Sequence, residues 1–247
     1  MRPGPGVPRP PIAAIFAGVL FCGALSSALL AAWQEPAPDG RFDNRVRADM
    51  FAGMAGDSAA LDRAMKRCEE ALAKDPDNAE ALVWQGSGLT YQAGVAFRAG
   101  DYAKGGALVG RGFREMDDAV AKAPDSVGVL IPRGATLLEY SKYDPAPEGA
   151  RAELSKALGD YEKVLVLQKP DWQNRPLHAR GELLSGLAEG WLRAGDAVKA
   201  HSYMERIAAE AAGSPYAARA QKFLAASAPP TKLDWHCIGC HVAGTGQ

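Results

Sequence analysis

Close to its end the chain reads Trp235-His236-Cys237-Ile238-Gly239-Cys240-His241. Two thiols three residues apart, Cys237 and Cys240, lie along one turn and reach the same edge of a flat ligand. The next residue, His241, then falls beneath that ligand's centre. Addition of the two thiols to the vinyl groups of a porphyrin gives two thioethers, and the imidazole nitrogen becomes an axial ligand to iron. Gly239, with no Cβ, lets the backbone lie against the ring. Two other chemistries use the same atoms. His236, Cys237, Cys240 and His241 supply four zinc donors, but zinc sites normally pair two separated ligand knuckles, and this sequence has one. A redox dithiol of the thioredoxin kind expects a strand–helix setting, which the chain lacks.

Cys-x-x-Cys-His is the c-type haem attachment pattern, and in this the tail resembles the c-type cytochromes. The resemblance implies one covalent haem c, with Cys237 and Cys240 holding the porphyrin and His241 as the proximal iron ligand. There is a departure. In that family the pattern opens a domain that wraps the haem, and a later Met often takes the sixth position. Here only Val242 to Gln247 follow, with no Met or His. The haem must therefore lean on the rest of the chain, on a partner or on solvent. Candidates for the distal position are His201, Met204 and His178. His201 and Met204 are three apart, so they share a face of one predicted helix, and Met204 takes a position expected to be buried. An open sixth position is the other option, and it favours gas binding or peroxide reactivity over simple electron transfer.

Residues that position this tail begin with the leader. Arg2 and Arg9 precede a 21-residue uncharged run, Ile12 to Ala32. A signal h-region is about 7–15 residues long and a spanning helix about 20, so residues 1–32 read as a signal peptide or a membrane anchor. Small residues at Ser26, Ala28, Ala31 and Ala32 offer a cleavage site. Both readings place the remainder outside the cytoplasm, in a bacterial periplasm, either soluble or anchored to the inner membrane. Residues 33–44 read as a linker.

From residue 45 the pattern is helical, with apolar residues three and four apart. Breaks recur at Pro76, Pro124, Pro170 and Pro215, at intervals of 48, 46 and 45 residues. A period of this size means stacked supersecondary units. Ala64, Cys68, Ala71 and Pro76 match the closing half of the tetratricopeptide motif; Gly112, Met116, Ala119 and Pro124 match it again. Leu82, Gly86 and Leu89, then Leu130, Gly134 and Leu137, then Leu184, Leu187, Ala188 and Trp191 match the opening half. Gly100-Asp101 and Gly195-Asp196 supply inter-helix turns. The chain thus resembles the tetratricopeptide repeat (TPR) proteins over about 45–226, with units longer than the usual period of about 34 residues. The HEAT array, with a period of about 40–47, is the rival. The resemblance implies an all-α helical-repeat solenoid: four elongated helix pairs over about 45–214, a capping helix from Ser214 to Ala226, and a tail over 227–247. It also implies a concave face that grips a protein partner. Tyr91, Phe97, Tyr140 and Tyr143 are candidates for that face, although inter-repeat core is the better assignment for most of them, as it is for Trp84, Trp172 and Trp191.

The remaining composition excludes more than it assigns. With 28 basic and 29 acidic residues and no basic cluster interleaved with aromatics, nucleic-acid binding is not expected. Cys22 falls in the leader, and Cys68 reads as a small core residue. No phosphate loop, nucleophile grouping or carboxylate cluster at helical spacing points to an enzyme, and the acids fall mostly on solvated faces. The expectation is a redox or haem-presenting adaptor that binds a partner and exchanges electrons with it. The alternative is an assembly scaffold whose terminal Cys/His cluster binds zinc or does thiol chemistry.

Overall fold

Nine α-helices and one 3₁₀ segment account for most of residues 41–226, the residues that this computed structural model describes. No strand occurs among them. The leader (1–32), most of the linker and the tail (227–247) lie outside the described residues. The helices are α1 Asp43–Met54, α2 Ser58–Lys74, α3 Ala79–Arg98, α4 Tyr102–Lys122, α5 Val127–Tyr140, α6 Pro147–Gln168, the 3₁₀ segment Lys169–Asn174, α7 Leu177–Arg193, α8 Ala197–Glu210 and α9 Pro215–Leu224. The first helix begins two residues earlier than the boundary expected from sequence. The backbone N–H of Phe42, just before it, donates to Glu80 Oε2 of α3 at 2.9 Å, so the helix start is tied to the body.

Turn chemistry explains the pairing. Gly100 and Gly195 have φ of 81° and 87°, a backbone region that glycine enters without a Cβ penalty. Asp101 and Asp196 then cap the next helix, accepting from the N–H of Lys104 at 3.0 Å and of Lys199 at 2.9 Å. The same device stands at Gly56-Asp57, where φ is 112° and Asp57 accepts from Ala60 N–H at 3.0 Å; the sequence reading passed over this third copy. In the third hairpin Ser141–Ala146 replaces the Gly-Asp turn, and Pro147 starts α6. The breaks at Pro76 and Pro124 precede caps Asn78 and Ser126. Pro170 differs. It falls inside the 3₁₀ segment, and α7 starts only after Pro176. Trp172 holds that segment in place: it is buried, and its indole N–H donates to Glu210 Oε2 at 2.5 Å.

Each hairpin packs its two helices together, α1 on α2, α3 on α4, α5 on α6 and α7 on α8. The first helix of each pair also meets the first helix of the next, and the second helix of each pair meets the helix that follows it. The final helix, α9, lies on α8, with Ser214 capping it through a bond from Ala217 N–H. The small residues expected to let helices approach do so. A Cβ on Gly86 would stand 2.5 Å from the Gly112 carbonyl oxygen, and one on Gly112 would stand 2.7 Å from that of Gly86. This contact lets α3 and α4, of 20 and 21 residues, lie against each other. Tyr161 fills the gap left by Gly134 on one side and Gly186 on the other. The core runs from Val46 and Met50 through Met116, Leu130, Leu184 and Met204 to Phe223. Each fully buried side chain of this kind contributes about 1.5–3 kcal/mol.

Candidate functional site

The residues expected to do chemistry, Cys237, Cys240 and His241, lie outside the described residues, as does Cys22. What the structure describes is the body to which that tail is joined. The last described residue is Ala226, and Cys237 follows eleven positions later in the sequence. Among the described residues no helix is long and apolar enough to cross a membrane, and no group of three or more His, Cys, Asp or Glu side chains could hold a metal ion.

The three candidate distal ligands occupy different settings. Met204 is fully buried in the core, on α8. His201, on the same helix, leaves half of its side chain exposed and lies 3.6 Å from Glu205. His178, at the start of α7, places Nδ1 2.8 Å from the hydroxyl of Tyr216 on α9, with Nε2 3.4 Å from Glu182. Metal-bound imidazoles are commonly oriented through their other ring nitrogen, so the Tyr216 contact is compatible with a ligand role for Nε2. The donor set in the tail, two thiols and an imidazole, is the chemistry that a covalent haem requires.

Most of the other residues singled out from sequence are structural. Cys68 is fully buried, and burial, with Glu115 and Glu69 nearby, pushes its thiol up to about 12, which leaves it without nucleophilic character. Trp84 and Trp172 are core residues, as expected. Trp191 is only part-buried: its N–H donates to Glu162 at 3.1 Å and the Lys199 ammonium stands 3.5 Å over its ring. Of the aromatics considered for a partner face, Tyr143 is 70% exposed, while Tyr91, Phe97 and Tyr140 are part-buried.

The sequence reading missed a set of buried acids, having placed the acids mostly on solvated faces. Glu153, Asp160 and Glu189 are all buried. Asp160 receives a two-pronged contact from Arg133, with Nε–Oδ2 at 2.8 Å and Nη2–Oδ1 at 2.7 Å, and Arg133 also reaches Asp117 at 2.9 Å. Burial works against the charge on Arg133, but these carboxylates outweigh it and hold the guanidinium above its ordinary range. Glu189 pairs with Lys142 at 2.8 Å. Glu153 makes no such pair: Lys156, on the same cavity wall, lowers it by less than burial and Asp144 raise it. Its carboxyl faces Asp144, and its Oε2 is buried with no hydrogen-bond partner. Burial first, and the Asp144 charge second, raise it to about 7. It lines a cavity of about 170 Å³ with Phe113, Met116, Leu137, Gly149 and Lys156.

No protein-family model, curated protein or solved structure matches the chain.

Proposed function

We propose that this chain is an exported helical-repeat protein of the tetratricopeptide type that carries one covalent c-type haem at its C-terminal end and presents it to a protein partner. The observation that carries the reading is the sequence Cys237-Ile238-Gly239-Cys240-His241. Cys237 and Cys240 would hold the porphyrin through thioethers, and His241 would ligate the iron. Bound in this way, the group supplies one-electron exchange. The uncharged leader Ile12–Ala32 supports the same reading, because haem of this class is attached after export. The Gly-Asp turns, the Gly86–Gly112 approach and the succession of four helix pairs with a closing helix support the repeat assignment. In this reading the body docks the partner and the tail carries the redox group. His178, oriented by Tyr216, and the exposed His201 are the body residues suited to a distal contact. Met204 would first have to leave the core.

The intact mass of protein exported by a host that matures c-type cytochromes tests this. The expected result is one haem adduct on the 237–241 peptide, a Soret band, and colour that survives acid–acetone extraction. Replacing Cys237 by Ala should weaken that covalent retention. An unmodified tail peptide with stoichiometric zinc would transfer the case to a zinc-binding scaffold.

A further inference from the structure

Three apolar side chains from two successive helices stand around the carboxyl of Glu153. Phe113 and Met116 come from α4 and Leu137 from α5, while Glu153 itself and Gly149 belong to α6. Phe113 is set edge-on to Tyr140, with ring centroids 5.1 Å apart. The loop before α6 returns Asp144 to the same place. Asp144 Oδ1 accepts from Ala146 N–H at 2.7 Å, and its Oδ2 is so close to Gly149 that a Cβ there would stand 2.4 Å away. The cavity therefore has an apolar wall of one aromatic ring and two aliphatic side chains. At one end stands the Glu153 carboxyl, 92% buried, with one oxygen that has no hydrogen-bond partner and with Asp144 facing it from the loop; Asp117 and Lys156 complete the lining.

We propose that this cavity between α4, α5 and α6 binds an alkylammonium group, with the ammonium on the Glu153 carboxyl and its alkyl stem against Phe113, Met116 and Leu137. A buried carboxylate beside a second acid is costly, and Lys156 on the cavity wall is drawn to Asp117; a compact cation with three N–H donors offsets that cost. The aromatic wall favours a cation with an attached carbon chain. A hard divalent ion is the weaker match, because calcium takes six to eight oxygen ligands and no group of three or more acidic or other ligating side chains is assembled among the described residues. At about 170 Å³ the cavity falls below the range of about 300–1,000 Å³ typical of whole drug-sized ligands, so it suits a group of side-chain size. The other charges around it are already engaged: Asp117 of α4 binds Arg133 and Lys156 of α6. Tyr140 of α5 is a phenol whose ionisation burial pushes up, so it remains neutral. The ammonium displaces the proton that Glu153 otherwise keeps, so affinity rises with pH. For a carboxyl that titrates near 7, the ionised fraction and hence the affinity increase about tenfold between pH 6 and pH 8.

The test is a titration of the full-length exported protein with butylammonium chloride, followed by amide shifts around Gly149 and by calorimetry. Saturable binding in the millimolar range is expected, tenfold tighter at pH 8 than at pH 6, with 1-butanol at least tenfold weaker. Glu153→Gln keeps the side-chain volume, removes a buried charge and should fold. It should lose most of the binding and all of the pH dependence. A capped tripeptide with a central lysine distinguishes the source. Tighter binding than butylammonium assigns the site to a partner's lysine, and exclusion of the peptide while butylammonium still binds assigns it to free amines. Equal binding of 1-butanol, binding unchanged in Glu153→Gln, or saturation by calcium chloride alone would overturn the proposal.

Discussion

Glu153 and Asp160 stand seven residues apart on α6, on one face of the helix, and both are buried. The chain settles the two charges in opposite ways. Asp160 is raised by burial but answered by the Arg133 guanidinium, which lowers it in turn; Glu153 meets another acid, and burial and that acid raise it to about 7. Removal of one partner of a buried pair leaves an uncompensated charge, at a cost of about 3–5 kcal/mol. Arg133→Ala should therefore lower unfolding stability by about 3 kcal/mol, whereas Arg133→Met combined with Asp160→Leu should recover most of the loss, as measured by denaturant titration. For Glu153 the sign is reversed. Its folded value, about 7, is above the ordinary 4.5, so the unfolded chain releases the proton first as pH rises. Its contribution is complete below about 4.5 and is lost as pH climbs through 7, amounting to about 2–3 kcal/mol. Denaturation midpoints at pH 5 and pH 8 should show Glu153→Gln close to the parent at pH 5 and more stable at pH 8. Equal gaps at the two values would remove the linkage.

At the scale of the element, two glycines on one helix separate packing from propensity. Gly112 and Gly106 both lie within α4. A methyl group on Gly112 would meet the Gly86 carbonyl oxygen and Thr90 Oγ1, each at 2.7 Å, while one on Gly106 meets nothing within 4 Å. Gly112→Ala should cost about 1–3 kcal/mol, because the α3–α4 contact must open. Gly106→Ala should gain about 0.5–1 kcal/mol from helix propensity alone. Thermal unfolding of the two variants checks both signs. The sequence made Gly112 legible, because it takes the small position of a recurring pattern with Met116 and Ala119. The pairs closed at Gly100-Asp101 and Gly195-Asp196 were legible for a similar reason: their turns are built from local chemistry, Gly followed by a capping Asp. The carboxyl pair was not. Asp144 belongs to a loop and Glu153 to the second turn of the helix beyond it, so no period joins them. Burial of Glu153 depends on α4, more than thirty residues upstream. The 3₁₀ segment at Lys169–Asn174 was hidden similarly, since it is held by a bond from Trp172 to Glu210 across 38 residues.

On the scale of the whole molecule the relevant division is between the body and its tail. The core from Val46 to Phe223 is made of side chains that pack on one another, and the closing helix α9 buries Tyr216, Ala217, Ala220 and Phe223. Every helix from α1 to α9 packs on at least one neighbour within residues 41–226. In the proposed reading a haem held by Cys237 and Cys240 is an attached group rather than a folding nucleus, unlike the small cytochromes in which the chain wraps the porphyrin. This has a measurable consequence. The double variant Cys237→Ser with Cys240→Ser should be exported without colour yet unfold within about 2 °C of the parent protein, because a change of less than about 1 kcal/mol shifts Tm by only a few degrees in a chain of this size. The comparison should be made by circular dichroism at 222 nm, which reads the helices and not the porphyrin. A fall of about 10 °C or more would mean that the haem is packed into the body as part of its core, and the picture of a redox group on a tether would have to be given up.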